Sequence, residues 1–154
     1  MINQRIADLL DGLELFRDFS YQELRTIAPY LSFRSVKQDE VVFQEGDAGS
    51  YMLVLVAGKL AVFKGGEYGG DHLLSYEGRG RVVGEMALID QERRSATCRA
   101  ESDCEFMTLA TEDLARLATE HPGLAYRFMF ALARLLSRRL RRTSGMLVEY
   151  LGDE

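Results

Sequence analysis

The 154-residue chain has few of the residues that metal centres and disulfide frameworks require. It contains two cysteines, Cys98 and Cys104, and two histidines, His72 and His121. Two cysteines are too few for a disulfide scaffold or a four-thiolate cluster, so a reducing cytoplasmic compartment is expected. Two histidines in separate elements argue against a multi-histidine metalloenzyme, and no metal site is predicted.

Other missing features narrow the classes of protein further. No run of about 18 apolar residues occurs, and charges interrupt the apolar N-terminal pattern, so neither a membrane span nor a signal peptide is expected. The net charge of −5 shows no basic excess that would favour nucleic acid as a partner. Apolar residues make up 47% of the chain, and its length suits one domain with its own core.

Glycine and proline are unevenly distributed, which predicts a β-rich centre between helical ends. Ten of the 14 glycines lie between Gly46 and Gly84, and both prolines lie outside that stretch. Turns such as Gly65-Gly66 separate short β-branched and aromatic runs, and Tyr51–Val56 is apolar enough to be buried on both faces. The predicted strands are Glu40–Phe43, Tyr51–Val56, Lys59–Phe63, His72–Tyr76, a strand ending at Val83, Ser95–Ala100 and Glu105–Leu109.

The N-terminal segment is predicted to be helical. Its apolar residues recur at helical spacing from Ile2 to Leu13. Ser20 and Glu23 then form a capping-box pattern, which starts a second helix running to about Tyr30.

The C-terminal third returns to helical spacing. Thr111 is expected to cap a helix that ends at His121-Pro122-Gly123, and a last long helix is expected from about Leu124 to Tyr150. One stripe on it averages 3.5 residues per repeat, as in a two-helix seam: Met129, Leu132, Leu136, Leu140, Thr143, Leu147 and Tyr150. We predict a homodimer through this stripe, with a neighbouring face packed on the chain's own barrel through Phe128, Ala131 and Leu135.

The predicted fold is mainly β with flanking helices in one domain, residues 1–154. The strand spacing indicates an all-β sandwich or barrel over about 33–109, between helices at about 2–31 and 111–150. The last helix carries many arginines, which are interpreted as a solvated face. Only twelve residues follow Arg142, too few for a helix-turn-helix, so direct DNA binding is not expected.

A strand–turn–helix motif gives the strongest indication of a binding site. A strand ends at Val83, Gly84 allows a tight turn, Glu85–Leu88 forms one helical turn, and Arg94 returns after a polar loop. The first N–H groups of a helix attract an anion, and a guanidinium suits two phosphate oxygens. A carboxylate at Glu85 is repelled by phosphate unless a donor such as a ribose hydroxyl lies between them. The motif therefore predicts a ligand with one phosphate and a nearby free hydroxyl.

The chain resembles the cyclic nucleotide-binding domains of the catabolite activator protein (Crp/Fnr-like) family. Its phosphate-binding cassette would be Gly84-Glu85-x-Ala87-Leu88 followed by Arg94-Ser95-Ala96. The family's glycine framework is matched by Glu45-Gly46-Asp47-x-Gly49-x-Tyr51 with Gly58, and its N-terminal pattern by Leu15-Phe16-x-x-Phe19-Ser20. The resemblance covers about Leu10 to Met146, and it implies that the β segment forms an antiparallel double-stranded β-helix, or jelly roll. One departure is Arg93, where many members have proline, which leaves the loop less rigid.

The resemblance implies a role for each cassette residue. Glu85 would accept a hydrogen bond from the ribose 2′-hydroxyl, and Arg94 would bind the exocyclic phosphate oxygens. The phosphate shell would be completed by the Ser95 hydroxyl and by the backbone N–H groups of Met86, Ala87 and Ala96. Ribose and base would contact Val83, next to Gly84, and Val62.

A contact to the base amino group is expected from the last helix. The resemblance points to Thr143 and Ser144, which follow Arg138-Arg139-Leu140. This alignment requires about one extra helical turn before them. The competing candidates are Arg134, Ser137 and Arg138.

The predicted function is a non-catalytic sensor that binds a cyclic nucleotide and signals by rearranging its last helix. Ser95 fits the bacterial cAMP pattern and lacks the threonine linked to cGMP preference, so cAMP is favoured and cGMP is the alternative. Three rival interpretations stay open: a cupin metalloenzyme, which two histidines disfavour, an interaction module with an empty pocket, and a receptor for another small anionic effector. An effector protein is a further expected partner. His72 is interpreted as a surface histidine or one with satisfied hydrogen bonds rather than a ligand, and the two cysteines as core residues.

Overall fold

Eight antiparallel strands form two facing sheets in the computed structural model, which describes residues 2–65 and 69–152. The strands are β1 (Ser32–Val36), β2 (Val41–Phe43), β3 (Tyr51–Ala57), β4 (Leu60–Gly65), β5 (Asp71–Glu77), β6 (Val82–Val83), β7 (Thr97–Ala100) and β8 (Cys104–Ala110). One sheet has the order β1-β8-β3-β6 and the other β2-β7-β4-β5. This arrangement confirms the predicted jelly-roll fold.

Helices flank the sheets at both ends of the chain. They are α1 (Ile2–Leu10), α2 (Tyr21–Ile27), α3 (Glu85–Asp90), α4 (Thr111–Glu120) and α5 (Pro122–Gly152), with 3-10 turns at Glu14–Phe16 and Ala28–Tyr30. The capping box of α2 is confirmed, since the Glu23 N–H donates to Ser20 Oγ and the Ser20 N–H donates to Glu23 Oε1. Every helix within the described ranges is too short or too polar to span a bilayer.

Strand β3 separates two apolar cores, which explains why it is apolar on both faces. Leu53 and Leu55 point into the core between the two sheets, together with Phe106 of β8. Met52 and Val54 point the other way, into a larger core built mainly from the helices. Alternating side chains of one strand therefore fill both cores, as the unbroken run from Tyr51 to Val56 predicted.

Two sequence expectations need correction, and one strand is absent from the predicted set. The strand β1 was not predicted, because four of its five residues are exposed and its pairing with β8 runs through backbone atoms. Thr111 does not cap α4: Ala110 occupies the cap position, and the Thr111 hydroxyl donates to the Ser50 carbonyl. The first helix ends at Leu10 rather than Leu13. The Gly66 half of the expected Gly65-Gly66 turn lies outside the described residues.

Helix α5 has two differently packed halves. Its first half buries Ala125, Phe128, Leu132 and Leu135 in the helical core. Three arginines on the same half pair with the N-terminal segment: Arg127 with Glu23, Arg134 with Asp18 at 3.4 Å, and Arg138 with Glu14 at 3.1 Å. From Leu140 onwards the described residues of the helix are exposed.

Candidate functional site

A cavity of about 250 Å³ lies between the sheets, where α3 and one side chain of α5 close it. Phe43, Val62 and Ser75 line one wall, and they belong to a single row of paired residues that crosses the sheet as Phe43–Cys98–Val62–Ser75. The other lining residues are Glu77, Val82, Val83, Gly84, Glu85, Met86, Ala87, Asp90, Glu92, Arg93, Arg94, Ser95, Ala96 and Arg139.

Two glycines allow the cassette to fold tightly around Arg94. Gly84 has a φ of 80°, and a Cβ atom there would collide with Arg94 Nη1. A Cβ atom on Gly49 would collide with Ala87 Cβ and lie 2.9 Å from the Glu92 carbonyl oxygen. Only glycine avoids both the left-handed strain at the first position and the collision at the second.

Arg94 is 4% exposed, and both terminal nitrogens of its guanidinium are held by backbone carbonyls. Its Nη2 donates to the Tyr51 carbonyl at 2.6 Å and its Nη1 to the Gly84 carbonyl at 3.2 Å. The Phe43 and Tyr51 rings lie on it, with centroids 4.1 and 4.7 Å from Cζ. Burial is the main cause that lowers its pKa, although an arginine stays charged. The buried Nε has no hydrogen-bond partner among the described residues.

The backbone of Arg94 is fixed by the turn that carries the second sequence motif. The Arg94 N–H donates to the Asp47 carbonyl, and the Gly46 N–H donates to the Arg94 carbonyl, both at 2.8 Å. The turn at Glu45-Gly46-Asp47 therefore fixes where the arginine enters the cavity. The two motifs, nearly fifty residues apart, form one structural unit.

Glu85 is a buried carboxylate, 9% exposed, at the start of α3. Its pKa is raised, mainly because burial disfavours the charged form, and the charge of Glu77 adds to this. The backbone N–H of Glu85 and the charges of Arg139 and Arg94 act in the opposite direction. Because the net shift is upward, the ionised carboxylate is less favourable here than in water.

Arg139 of α5 also reaches into the cavity. Its Nη1 lies 3.8 Å from Glu85 Oε1 and donates to the Val82 carbonyl at 3.2 Å. Its Nε and Nη2 are buried without a hydrogen-bond partner in the part of the chain that the structure describes. These two nitrogens form one side of the guanidinium fork, which suits an acceptor pair.

Removing the charge of Glu85 is expected to stabilise the protein without ligand. The free energy of unfolding falls as pH rises from the ordinary value of 4.5 to the raised pKa, because the folded state keeps its proton longer. Glu85→Gln should therefore raise the melting temperature at pH 7, by roughly 2–4 °C for each kcal/mol gained. Below pH 4.5 the wild type and the variant should converge. Glu92→Gln on the cavity rim is the control, and an unchanged or lower melting temperature for Glu85→Gln would contradict the prediction.

Most of the residues singled out in the sequence meet at this cavity. Eight of the ten line it: Val83, Gly84, Glu85, Met86, Ala87, Arg94, Ser95 and Ala96, and Val62 joins them. Thr143 and Ser144 do not line it, and both are exposed on α5. Their competitors Arg134 and Arg138 pair with acidic residues of the N-terminal segment, and Ser137 is exposed.

Sequence reasoning missed Arg139, Ser75 and Glu77. Arg139 follows Phe128, Leu132 and Leu135 on the buried face of α5, so an arginine on an apolar stripe was the available signal. Ser75 and Glu77 alternate with the exposed Leu74 and Tyr76 on β5, and this alternation could have placed them inside.

The remaining polar candidates behave as structural residues. His72 is exposed on β5. Cys98 and Cys104 are buried free thiols, and burial raises the pKa of Cys98 to about 12. Within residues 2–65 and 69–152, no group of three or more His, Cys, Asp or Glu side chains could hold a metal ion.

Comparisons with known proteins agree with this geometry. The family model described as cyclic nucleotide-binding domain matches residues 33–121. The Cyclic AMP receptor protein of Thermus thermophilus is 33% identical over 132 residues, which cover 86% of this chain and 59% of that protein. A cyclic nucleotide-binding domain from Methylobacillus flagellatus superposes with a TM-score of 0.83 at 29% identity, covering 96% of this chain and 83% of its own.

The domain also occurs inside much longer proteins. Lysophospholipase NTE1 of Chaetomium globosum is 25% identical over 138 residues, which cover 90% of this chain and 8% of that enzyme. The chain thus spans 59% of one of these curated relatives and 8% of the other. Because the family model covers more than half of the chain and the cassette has the predicted geometry, the chain belongs to the cyclic nucleotide-binding domain family.

Proposed function

We propose that the chain is a non-catalytic sensor domain that binds cAMP, with cGMP as the alternative ligand. The observation that carries this proposal is the pairing of a preoriented arginine with a buried carboxylate in one cavity. The buried Nε of Arg94 has no hydrogen-bond partner among the described residues. The carboxylate of Glu85 lies in the same cavity, although burial disfavours its charged form. A phosphate and a ribose hydroxyl are the groups that such a pair can satisfy.

The cassette residues take the roles that the family resemblance implies. Arg94 binds the exocyclic phosphate oxygens, and Glu85 accepts from the ribose 2′-hydroxyl. Backbone N–H groups of Met86, Ala87 and Ala96 and the Ser95 hydroxyl complete the phosphate shell, because the first turn of α3 has N–H groups without intrahelical partners. Val62 and Val83 contact the ribose and the base.

Signalling runs through Arg139 to α5 in this proposal. Glu85 Oε1 lies 3.8 Å from Arg139 Nη1, and the preceding Arg138 joins α5 to Glu14. A 2′-hydroxyl that donates to Glu85 changes the partner of Arg139, and this gives α5 different contacts in the two states. A ligand shifts the position of the helix only by its different affinity for those states.

The cysteines and the net charge bear on the compartment and the partners of the sensor. We infer that all 154 residues act as one domain in the cytoplasm, where the buried thiols of Cys98 and Cys104 stay reduced. The net charge of −5 shows no basic excess for DNA, and we propose a protein effector as the direct partner. A second copy of the chain is a further proposed partner, through the exposed part of α5.

The ribose role of Glu85 is tested by comparing cAMP with 2′-deoxy-cAMP on the wild type. Loss of the hydroxyl leaves the carboxylate buried and unpaired, so calorimetry should show at least about tenfold weaker binding of the deoxy ligand. Equal affinities would remove Glu85 from the ligand site. If calorimetry detects binding of neither nucleotide, the result would instead support the rival interpretations, which are an interaction module with an empty pocket or a receptor for another anionic effector.

A further inference from the structure

The cavity has a second polar wall at the end opposite Arg94. Arg94 lies against Phe43, at the first position of the row Phe43–Cys98–Val62–Ser75. Ser75 occupies the last position, three strand spacings or about 14 Å away. If the phosphate binds at Arg94, as proposed above, the base of the nucleotide reaches the Ser75 end of this row.

Glu77 supplies a fixed carboxylate at that end. It follows Ser75 on the same face of β5 and its side chain is 18% exposed. Ser75 Oγ donates to Glu77 Oε1 at 3.1 Å, and Arg81 Nε lies 3.5 Å from Glu77 Oε2. Each carboxylate oxygen can accept more than one hydrogen bond, so these contacts hold the group and leave it able to accept another.

We propose that Glu77, positioned by Ser75 and Arg81, accepts a hydrogen bond from the exocyclic 6-amino group of the bound purine and makes the cavity select it over 6-oxo purines. This inference rests on the proposed binding of a cyclic nucleotide. A carboxylate has only acceptors, so a carbonyl at the same place on the base would face it with no shared proton. The two acceptors would face each other with no donor between them, which is the basis of rejection.

Arg139 is the competing polar group in the cavity. Its Nε and Nη2 fork would suit the O6 and N7 acceptors of guanine, whereas Glu77 suits an amino group. Two observations favour Glu77. The Nη1 of Arg139 is already held by the Val82 carbonyl and lies 3.8 Å from Glu85 Oε1, and Glu77 adds a second carboxylate to the lining of the same cavity.

The test compares cAMP with inosine 3′,5′-cyclic monophosphate (cIMP), in which a carbonyl replaces the 6-amino group. Titration calorimetry of the full chain should show at least about tenfold tighter binding of cAMP. In Glu77→Gln the ratio should fall below about threefold, because an amide can turn its NH₂ toward the carbonyl oxygen. Glu92→Gln removes the same charge from the cavity rim and should leave the ratio unchanged.

The outcomes separate this inference from the proposed function. A Glu77→Gln protein that keeps the wild-type ratio, or a wild type that binds cIMP or cGMP as tightly as cAMP, overturns the role of Glu77. If the variant fails to fold, the wild type alone decides: binding should weaken from cAMP to unsubstituted purine riboside cyclic monophosphate to cIMP. A wild type that binds none of these nucleotides overturns the proposed function and this inference with it.

Discussion

Arg94→Ala is expected to weaken cAMP binding by about tenfold at the least, and by about a hundredfold if two phosphate contacts are lost. Each charge-assisted hydrogen bond contributes about 1.5–3 kcal/mol, and about 1.4 kcal/mol corresponds to a factor of ten in affinity. The effect is large because Arg94 is already buried and oriented, so the ligand does not have to order it. Titration calorimetry with cAMP measures the change directly.

Arg93→Ala is the matched control for this experiment. Arg93 carries the same charge, lies next to Arg94 in the chain and also lines the cavity, but its Nη1 donates to the Gly46 carbonyl and its side chain is exposed. Long-range attraction of an anionic ligand is lost in both variants, whereas the directed contacts are lost only without Arg94. Similar weakening in the two variants would contradict the assignment of Arg94.

Arg94 also stabilises the fold, so the experiment must distinguish a loss of stability from a loss of binding. Alanine leaves the Tyr51 and Gly84 carbonyls without their present donors, so some loss of stability is expected. Arg94→Lys keeps the charge but not the fork, and its affinity should lie between those of the wild type and Arg94→Ala. Thermal melts and circular dichroism of each variant show whether weaker binding occurs in a folded protein.

Charging the exposed stripe of α5 is expected to convert a dimer into a monomer. Leu140 is 68% exposed and Leu147 is 56% exposed, and neither contributes to the cores of the single chain. Exposed apolar residues at seam spacing are typical of a subunit contact. We propose that these leucines meet their own copies across a two-fold axis, where glutamates would place like charges opposite each other.

The double variant Leu140→Glu/Leu147→Glu should raise the dimer dissociation constant by more than about a hundredfold, because each buried leucine contributes about 1.5–3 kcal/mol. Leu136 is left unchanged, since it packs partly against the chain's own core. Val148→Glu is the control, because Val148 is 69% exposed but lies off the stripe. Sedimentation with and without cAMP is the measurement. A wild type that stays monomeric at high concentration in both conditions would defeat the dimer proposal.

The stripe shows where helical periodicity is ambiguous. Leu132 was assigned to the seam, yet it is fully buried in the chain's own core beside Phe128 and Leu135. Repeats of 3.5 and 3.6 residues separate by only about 20° per heptad, so adjacent faces cannot be told apart over a few turns. The docking of α5 on the helical core determines which face of the helix points inward. For this reason Arg139 lines the cavity and Thr143 does not.

The sequence by itself determined the cassette, because its parts are close in the chain. Gly84, Glu85 and Arg94 lie within eleven residues, and the turn, helix start and returning strand follow from local backbone preferences. The alternation of β-rich and helical segments likewise predicted a β sandwich or barrel between flanking helices, and the family resemblance made it a jelly roll.

The tertiary structure alone decided the far end of the cavity. Phe43, Ser75 and Glu77 come from strands distant in sequence and reach one wall only through the register of four paired strands. Arg139 arrives from α5, more than fifty residues after Glu85, because Phe128, Leu132 and Leu135 fix the rotation of that helix. Strand register and helix docking depend on the packing of the whole core. The spacing of residues along the sequence therefore does not show which distant residues come into contact.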